Sequence, residues 1–163
     1  MISNSSITNN NWSSQDEVSI ILPIYDGDDE VKLEKCLNAL VTELKYVKEV
    51  IIVLDGPVTD TKLQLVHDFI PINKLNLLKF KENRGLIAAL NYALSEVNTK
   101  YALRIDSDDM ICPGRVMDQY EYVEKRSLDI CSSYIQQEGG YFSKPVIRKV
   151  PLEHEEIIRF MRY

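Results

Sequence analysis

The sequence predicts an α/β fold with a mostly parallel sheet that helices cover on both faces. Short runs of β-branched and other apolar residues alternate along the chain with segments whose apolar residues recur at helical spacing. This alternation is typical of parallel sheets, because each connection between parallel strands needs a crossover of helical length. With 163 residues, 45% of them hydrophobic, the chain is long enough for one domain with a sizeable core.

The first predicted elements are a strand, a helix and a second strand. Residues 18–22 (VSIIL) form an apolar run that Pro23 stops, and residues 50–54 (VIIVL) form another, which ends at an Asp-Gly-Pro turn. Between the two runs, leucines recur at helical spacing over residues 29–46. The chain therefore opens with one strand–helix–strand unit.

The pattern continues with two further helix and strand pairs. A helix that Thr59 or Asp60 can cap extends to residue 70, and a third strand covers residues 75–80. A helix over 85–97 then precedes a fourth strand, 101–105, and its apolar face is predicted to consist of Leu86, Leu90, Ala93, Leu94 and Val97.

The last third of the chain is less regular. Pro113 opens a helix, since proline suits the first helical turn. Residues 128–135 are a fifth strand candidate, a Gly-Gly pair at 139–140 predicts a turn, and 146–150 predict a short strand. Residues 151–163 predict a final helix, with Ile157 and Ile158 on its buried face.

Composition excludes several classes of protein. A net charge of −6 argues against nucleic acid as a partner, because phosphate binding favours a basic surface. No apolar run approaches the ~20 residues of a membrane span, and no secretory signal is present. The three cysteines lie far apart without CxxC spacing, which favours thiols in a reducing, cytoplasmic setting. Residues 1–17 are polar and predicted to be disordered, which leaves 18–163 as the folded domain.

Acidic and aromatic side chains follow three of the predicted strands. Tyr25 and Asp26 follow the first strand, Asp55 follows the second, and the cluster 106–109 (DSDD) follows the fourth. In an open α/β sheet, ligands bind in the crevice outside the carboxyl ends of the strands. Adjacent carboxylates raise each other's pKa unless a cation lies among them, and Mg²⁺ or Mn²⁺ is the natural partner for such oxygen ligands. The alternative for the cluster is a solvated acidic turn that caps the next helix.

Each further candidate also has two interpretations. Asp55 either forms the turn with Gly56 or accepts a hydrogen bond from the imide N–H of a uracil base. Tyr25 either stacks on that base or covers the core. Residues 83–85 (NRG) either bind an anion at a helix N-terminus or form an ordinary Asn cap. Arg104 is either a counter-ion of the cluster or a substrate contact.

Four segments together resemble family 2 glycosyltransferases, which have the Rossmann-like GT-A fold. The segments are 18–26 (VSIILPIYD), 53–56 (VLDG), 82–91 (ENRGLIAALN) and 104–109 (RIDSDD), the last followed by Pro113 and Arg115. The resemblance covers residues 18–163 and is greatest to bacterial enzymes that build capsule, exopolysaccharide or O-antigen chains. The chain departs from the family pattern at Leu54 and Pro57, where the family has Asp and Ser.

The resemblance implies a donor site for a nucleotide-diphosphate sugar, with UDP as the expected nucleotide. The residues implied to bind the nucleotide are Pro23, Tyr25, Asp55, Asn83, Arg84, Gly85 and Asp106, and those implied to bind Mn²⁺ or Mg²⁺ are Asp108 and Asp109. The acceptor would be a saccharide or lipid-linked saccharide, met at the inner face of the cytoplasmic membrane through peripheral association.

The resemblance also implies an inverting reaction that needs a general base. That base is expected beyond Tyr163, so the chain is expected to hold the donor-binding part of the domain, to lack the acceptor portion, and to transfer sugar weakly or not at all. Two alternatives stand beside this function. A nucleotidyltransferase is one, although the acidic loop 25–29 (YDGDD) opposes phosphate binding there. A non-catalytic nucleotide-sugar-binding module is the other.

Overall fold

The structure, a computed structural model, describes residues 17–137, 145–152 and 154–160. Its strands are β1 (Val18–Ile24), β2 (Glu49–Leu54), β3 (Leu75–Lys79), β4 (Tyr101–Arg104), β5 (Ile135–Gln137) and β6 (Val146–Arg148). Its helices are α1 (Glu30–Val41), α2 (Asp60–Phe69), α3 (Leu86–Glu96), α4 (Arg115–Arg126) and α5 (His154–Phe160). A single 3₁₀ turn, Leu44–Tyr46, follows α1.

The chain divides into two compact units, residues 1–120 and residues 121–163. The first unit contains a parallel sheet of strand order β3-β2-β1-β4. The chain builds outward from β1 through β2 to β3, and then returns to the other side of β1 as β4. The carboxyl ends of β1 and β4 therefore flank the point where the strand order reverses, which is where open α/β sheets bind ligands.

Helices pack on both faces of this sheet, as predicted. On one face, Ile20, Leu22 and Ile24 of β1 belong to the same buried cluster as three leucines of α1, namely Leu33, Leu37 and Leu40. On the other face, Ile21, Ile51 and Val53 cluster with Ala89 and Ala93 of α3. Successive residues of β1 thus serve opposite faces, as the two-residue period of a strand requires. Each fully buried leucine contributes about 1.5–3 kcal/mol relative to an exposed position.

The first strand is longer than the sequence predicted, because Pro23 does not end it. Pro23 lies inside β1 and pairs with Val53 of β2. On its other side β1 pairs with β4 only from Val18 to Ile21, so the strand has already passed its last β4 partner at Pro23. A residue without an N–H is tolerated at such an unpaired position.

Two helices also differ from their predicted form. The predicted helix 29–46 ends at Val41, and the 3₁₀ turn takes up its last residues. The buried face of α3 is made by Ala89 and Ala93, whereas Leu86 and Leu94 are 48% and 50% exposed. Alanine at these positions fits where the helix lies against the densely packed residues of β1 and β2.

The second unit contains a two-stranded antiparallel sheet, in which Ile135 pairs with Arg148. The predicted strand 128–135 is wrong, since only Ile135 of that range is in a strand and Ser132 and Ser133 interrupt the apolar run. Ile157 and Ile158 of α5 are 39% and 38% exposed rather than buried.

Some predictions fall outside the described residues. They concern residues 1–16 of the polar N-terminal segment, the turn at 139–140, and residues 153 and 161–163 of the last predicted helix. Glu17 is described, and its carbonyl accepts a hydrogen bond from Tyr101 N at 2.9 Å. Within the described ranges, no helix has the length and apolar character needed to cross a bilayer.

Candidate functional site

A cleft of about 590 Å³ lies outside the carboxyl ends of β1, β2 and β4. Seven of the predicted site residues line it: Pro23, Tyr25, Asp55, Asn83, Gly85, Asp106 and Asp108. It is also lined by residues that sequence reasoning did not single out, namely Ile24, Gly27, Asp28, Asp29, Lys32, Leu86 and Ser107. The topology thus brings together side chains that are up to 85 positions apart, from Pro23 to Asp108, in one concave surface.

Asp106 is neutralised by the residue two positions before it. Arg104 Nε donates to Asp106 Oδ1 at 2.8 Å, and Arg104 Nη2 donates to Oδ2 at 3.0 Å. A bidentate pair of this kind fixes the direction of the carboxylate as well as its charge. The structure therefore supports the counter-ion interpretation of Arg104.

Asp108 has a different environment from Asp106. Its carboxylate makes no hydrogen bond within the described part of the chain, and the cation nearest to it is Lys32 Nζ at 3.7 Å from Oδ2. Both side chains are 59% exposed, so solvent screens this contact strongly. Asp108 is accordingly the cleft carboxylate that has its oxygens available for a ligand.

Asp109 follows the cleft without lining it. Burial raises the pKa of its carboxyl, and the neighbouring charges of Asp108 and Asp106 raise that pKa further. Arg115 and Arg104 act in the opposite direction. Across the described residues, no three His, Cys, Asp or Glu side chains come close enough to hold a metal ion by themselves.

Asp55 joins the end of β2 to the start of α3. It is 4% exposed, and its two carboxylate oxygens accept hydrogen bonds from the backbone N–H groups of Arg84 at 2.7 Å and Gly85 at 2.9 Å. Gly85, with φ of +87°, is the N-cap residue of α3 and has no side chain to do this. A remote carboxylate therefore holds the two residues that precede the helix, which has no side-chain cap, and the alternative of an Asn83 side-chain cap is wrong.

The hydrogen bonds to Asp55 leave fewer backbone N–H groups of the 83–85 segment for a ligand. The N–H groups of Arg84 and Gly85, which the sequence suggested for an anion, are donated to Asp55. The Arg84 side chain lies over the Phe80 ring at 5.0 Å and lines a separate groove together with Tyr92. Arg84 is thus the one predicted nucleotide-binding residue, among those described, whose side chain lies away from the cleft.

Gly56 allows the 82–85 segment to approach the end of β2. Its φ is +91°, which strongly favours glycine, and a Cβ there would lie 2.7 Å from the backbone nitrogen of Asn83. The Asp-Gly pair after β2 therefore sets both the spacing and the direction of the segment that leads into α3.

Tyr25 projects from the loop that follows β1. Its side chain is 46% exposed, so the alternative in which it covers the core is wrong. The ring lies against Gly27, where a Cβ would collide with it. The loop is held by Tyr25 N, which donates to Asp28 Oδ2 at 2.9 Å, and by the buried Lys62, whose Nζ donates to the Asp26 carbonyl at 2.6 Å. The aromatic face is thus presented at the rim of the cleft.

Glu43 holds the start of α4 through backbone N–H groups. It is 1% exposed, and its two oxygens accept hydrogen bonds from Gly114 N at 2.7 Å and Val116 N at 3.0 Å. Gly114 comes five residues after Asp109, so Glu43 fixes the far end of the segment that carries the acidic cluster.

Three functional or positioning residues were missed from the sequence: Lys32, Glu43 and Lys62. Lys32 belongs to no motif, and a lysine in the first turn of a helix is a weak signal. Glu43 and Lys62 are charged residues inside segments predicted to be helical. Apolar spacing predicts the helix, but it does not show that such a side chain binds a backbone group far away in the sequence.

Comparison with known proteins identifies the family of the chain. The model of the family described as glycosyl transferase family 2 matches residues 19–162. The chain belongs to glycosyl transferase family 2. The fold class and the resemblance predicted from the sequence are thereby confirmed.

Two relatives of this family illustrate the likeness. An uncharacterised glycosyltransferase of Haemophilus influenzae is 30% identical over 144 residues, which are 87% of this chain and 54% of that protein. The amylovoran biosynthesis glycosyltransferase AmsE of Erwinia amylovora is 26% identical over 144 residues, which are 88% of this chain and 54% of that protein. The chain thus spans about half the length of these relatives.

Solved structures show the same fold. S. aureus TarS 1–349 in complex with UDP superposes with a TM-score of 0.58 and 26% identity, over 68% of this chain and 33% of that one. The mannosyltransferase PcManGT from Pyrobaculum calidifontis, in complex with GDP-Man and Mn²⁺, superposes with a TM-score of 0.56 and 22% identity, over 66% of this chain and 32% of that one.

Proposed function

We propose that the cleft binds a nucleotide-diphosphate sugar, with UDP as the nucleotide, for inverting and metal-dependent sugar transfer in the synthesis of a cell-surface polysaccharide. The observation that carries this proposal is the position of Asp108, a carboxylate that makes no hydrogen bond to the described residues, in a cleft at the reversal point of the sheet. Membership of glycosyl transferase family 2, the UDP complex of TarS and the amylovoran role in the name of AmsE support the substrate class.

The base and ribose are assigned to the side of the cleft formed by β1 and β2. Tyr25 offers an exposed ring for stacking on the base. Asp55 accepts one backbone N–H on each oxygen, and each oxygen retains a lone pair that can accept from a base N–H. Asp106, held in direction by Arg104, accepts from the ribose hydroxyls.

The donor set fits a hard divalent cation such as Mn²⁺ or Mg²⁺. These ions are bound through one or two carboxylates together with substrate phosphates, rather than by a cage of protein ligands. Asp108 would hold the ion, with Asp109 beside it, and the raised pKa of Asp109 reflects both its burial and an excess of negative charge at this point. A bound cation supplies positive charge that offsets the charge growing on the departing diphosphate.

Transfer also requires a base that takes the proton of the acceptor hydroxyl. We assign that role to none of the described residues, and we propose that the chain contributes donor binding while transferring sugar weakly or not at all. The acceptor is proposed to be a saccharide or lipid-linked saccharide.

Calorimetric titration of UDP with and without Mn²⁺ tests the donor site. We expect Mn²⁺ to strengthen UDP binding to the unaltered chain, and Asp108→Ala to abolish that strengthening, because the variant removes the carboxylate that is available for the ion. GDP serves as the comparison nucleotide and should bind more weakly.

Asp68→Ala is the matched control, because Asp68 is an exposed carboxylate of α2 that pairs with Gln64 away from the cleft. It should behave like the unaltered chain. If Mn²⁺ still strengthens UDP binding to Asp108→Ala, Asp108 does not bind the metal. If this chain transfers sugar efficiently in the presence of the metal, the proposal that it transfers weakly or not at all is wrong.

A further inference from the structure

The cleft is rich in negative charge. Five of the residues that line it are aspartates: Asp28, Asp29, Asp55, Asp106 and Asp108. Among the described lining residues, Lys32 is the one with a cationic side chain. A diphosphate that enters this cleft therefore meets repulsion from carboxylates and attraction from the Lys32 ammonium.

Most of these aspartates already have partners. Asp28 accepts from Tyr25 N at 2.9 Å, and Asp29 caps α1 by accepting from Lys32 N at 3.0 Å. Asp55 accepts from two backbone N–H groups, and Asp106 pairs with Arg104. Asp108 is left facing the Lys32 ammonium at 3.7 Å, so the one cation and the one available carboxylate of the cleft lie side by side.

Two nearby cationic side chains already have hydrogen-bond partners. The Arg104 guanidinium is held by both oxygens of Asp106. The Lys62 ammonium is buried and donates to the Asp26 carbonyl at 2.6 Å. Neither can turn to a ligand without giving up these contacts, whereas Lys32 is 59% exposed and holds Asp108 only through a long, solvent-screened contact.

The position of Lys32 along α1 is unfavourable for the helix itself. It lies in the first turn, three residues after the N-cap Asp29. The N-terminal end of a helix carries partial positive charge, so acidic residues are stabilising there and a lysine is not. Asp29 and Glu30 already supply negative charge at this end of α1, so the helix itself gains nothing from the Lys32 ammonium.

We propose that Lys32 is a donor-binding residue whose ammonium contacts the diphosphate beside Asp108. The assignment rests on the proposed function, because it takes the diphosphate of a nucleotide sugar as the anion. Lys32 then turns from Asp108 to the phosphate oxygens, which leaves Asp108 to the cation.

The test compares two lysines of α1 and two ligands that differ in their phosphates. Lys32→Met removes the ammonium, and Lys35→Met is the matched control, because Lys35 is exposed on the same helix and does not line the cleft. UDP binding is measured by calorimetry in the presence of Mn²⁺, and uridine binding by ligand-detected NMR. Circular dichroism melts confirm that both variants fold.

We expect Lys32→Met to weaken UDP binding roughly tenfold, the loss typical of one partly solvated charge-assisted hydrogen bond, and to leave uridine binding unchanged. Lys35→Met should leave both affinities within about twofold. A Lys32→Met variant that binds UDP as tightly as the control, or more tightly, would overturn the Lys32 assignment while the donor site stands. An equal loss for UDP and uridine would also overturn it, since that result indicates a structural role. If the unaltered chain binds neither ligand, the proposed function fails, and the Lys32 assignment fails with it.

Discussion

Cys36 is buried next to the acidic cluster and contacts its backbone. Its side chain is 1% exposed, and Sγ donates to the Asp106 carbonyl at 3.5 Å. Burial, together with the nearby charges of Asp109 and Asp108, raises the pKa of this thiol from 9.0 to about 12. The thiol is therefore protonated throughout the range in which proteins are studied, and the weak hydrogen bond to Asp106 is retained.

This environment predicts that Cys36 is unreactive in the folded chain. Cys112 is exposed and should react rapidly with a disulfide reagent such as DTNB at pH 8, whereas Cys36 should react only after urea unfolding. Even at pH 10 only about 1% of the Cys36 thiols should be ionised in the folded chain, so labelling of Cys36 should stay far slower than that of Cys112. The stability that the protonated thiol provides is complete below pH 9.0 and is lost as the pH rises through about 12.

Mass spectrometry of the labelled peptides distinguishes the two cysteines. Rapid labelling of Cys36 without denaturant would contradict the prediction, since it requires the residue to be open to solvent beside Asp106.

At the scale of single elements, the turn after β2 decides where α3 begins. Gly56 and Gly114 both have positive φ, +91° and +84°, yet their surroundings differ. A Cβ at Gly56 would lie 2.7 Å from the backbone of Asn83, whereas a Cβ at Gly114 would meet nothing within 4 Å. The two glycines therefore separate the cost of the backbone conformation from the cost of a collision.

We expect Gly114→Ala to lower the free energy of unfolding by about 1–2 kcal/mol, which is the cost of the left-handed conformation alone. Gly56→Ala should lower it by roughly 3 kcal/mol or more, because the 82–85 segment must also move away from β2. Urea unfolding followed by circular dichroism measures both values. Equal losses for the two variants would mean that the close approach at Gly56 contributes nothing to stability.

The sequence predicted most elements because their patterns are local. The apolar runs of β1 and β2 and the leucine spacing of α1 depend only on neighbours in the chain. The acidic cluster and Asp55 were placed at one rim because strand ends in a parallel sheet share an edge. The hydrogen bonds of Asp55 to the residues before α3 and of Glu43 to the start of α4 could not be predicted, since these contacts join residues 29 to 73 positions apart.

Failures of prediction at the element scale also have physical causes. Pro23 was taken as a strand end, because the shorter reach of β4 along β1 is not visible in the sequence. Leu86 and Leu94 were wrongly placed on the buried face of α3 beside Ala93, because helical spacing gives the period of a face without showing which residues fit against a particular sheet.

At the scale of the whole molecule, the two compact units differ in how much they bury. In the first unit, the strands β1 and β2 are almost wholly buried. In the described part of the second unit, Val123 is the one buried residue, and β5 and β6 pair over three residues each. A two-stranded sheet of this size is at best marginally stable by itself.

Native-state hydrogen exchange should therefore show two levels of protection. Amides of β1 and β2 should exchange roughly a hundredfold or more slowly than those of β5 and β6, because the former open only when the core unfolds. Mass spectrometry of peptic fragments measures this difference. Equal protection of the two sheets would show that the second unit is stabilised as strongly as the first.

The backbone hydrogen bonds of the Asp55 and Glu43 carboxylates have a consequence for the thermodynamics of binding. Asp55 and Glu43 tie the starts of α3 and α4 to a strand end and to the chain just after α1, so the segments on either side of the cleft are in place before a ligand arrives. A ligand that enters a pre-organised cleft loses less affinity to the ordering of loops and side chains. Much of the interaction energy with a donor would then be expressed as affinity, and the conformational entropy of the rim would already be lost when the chain folds.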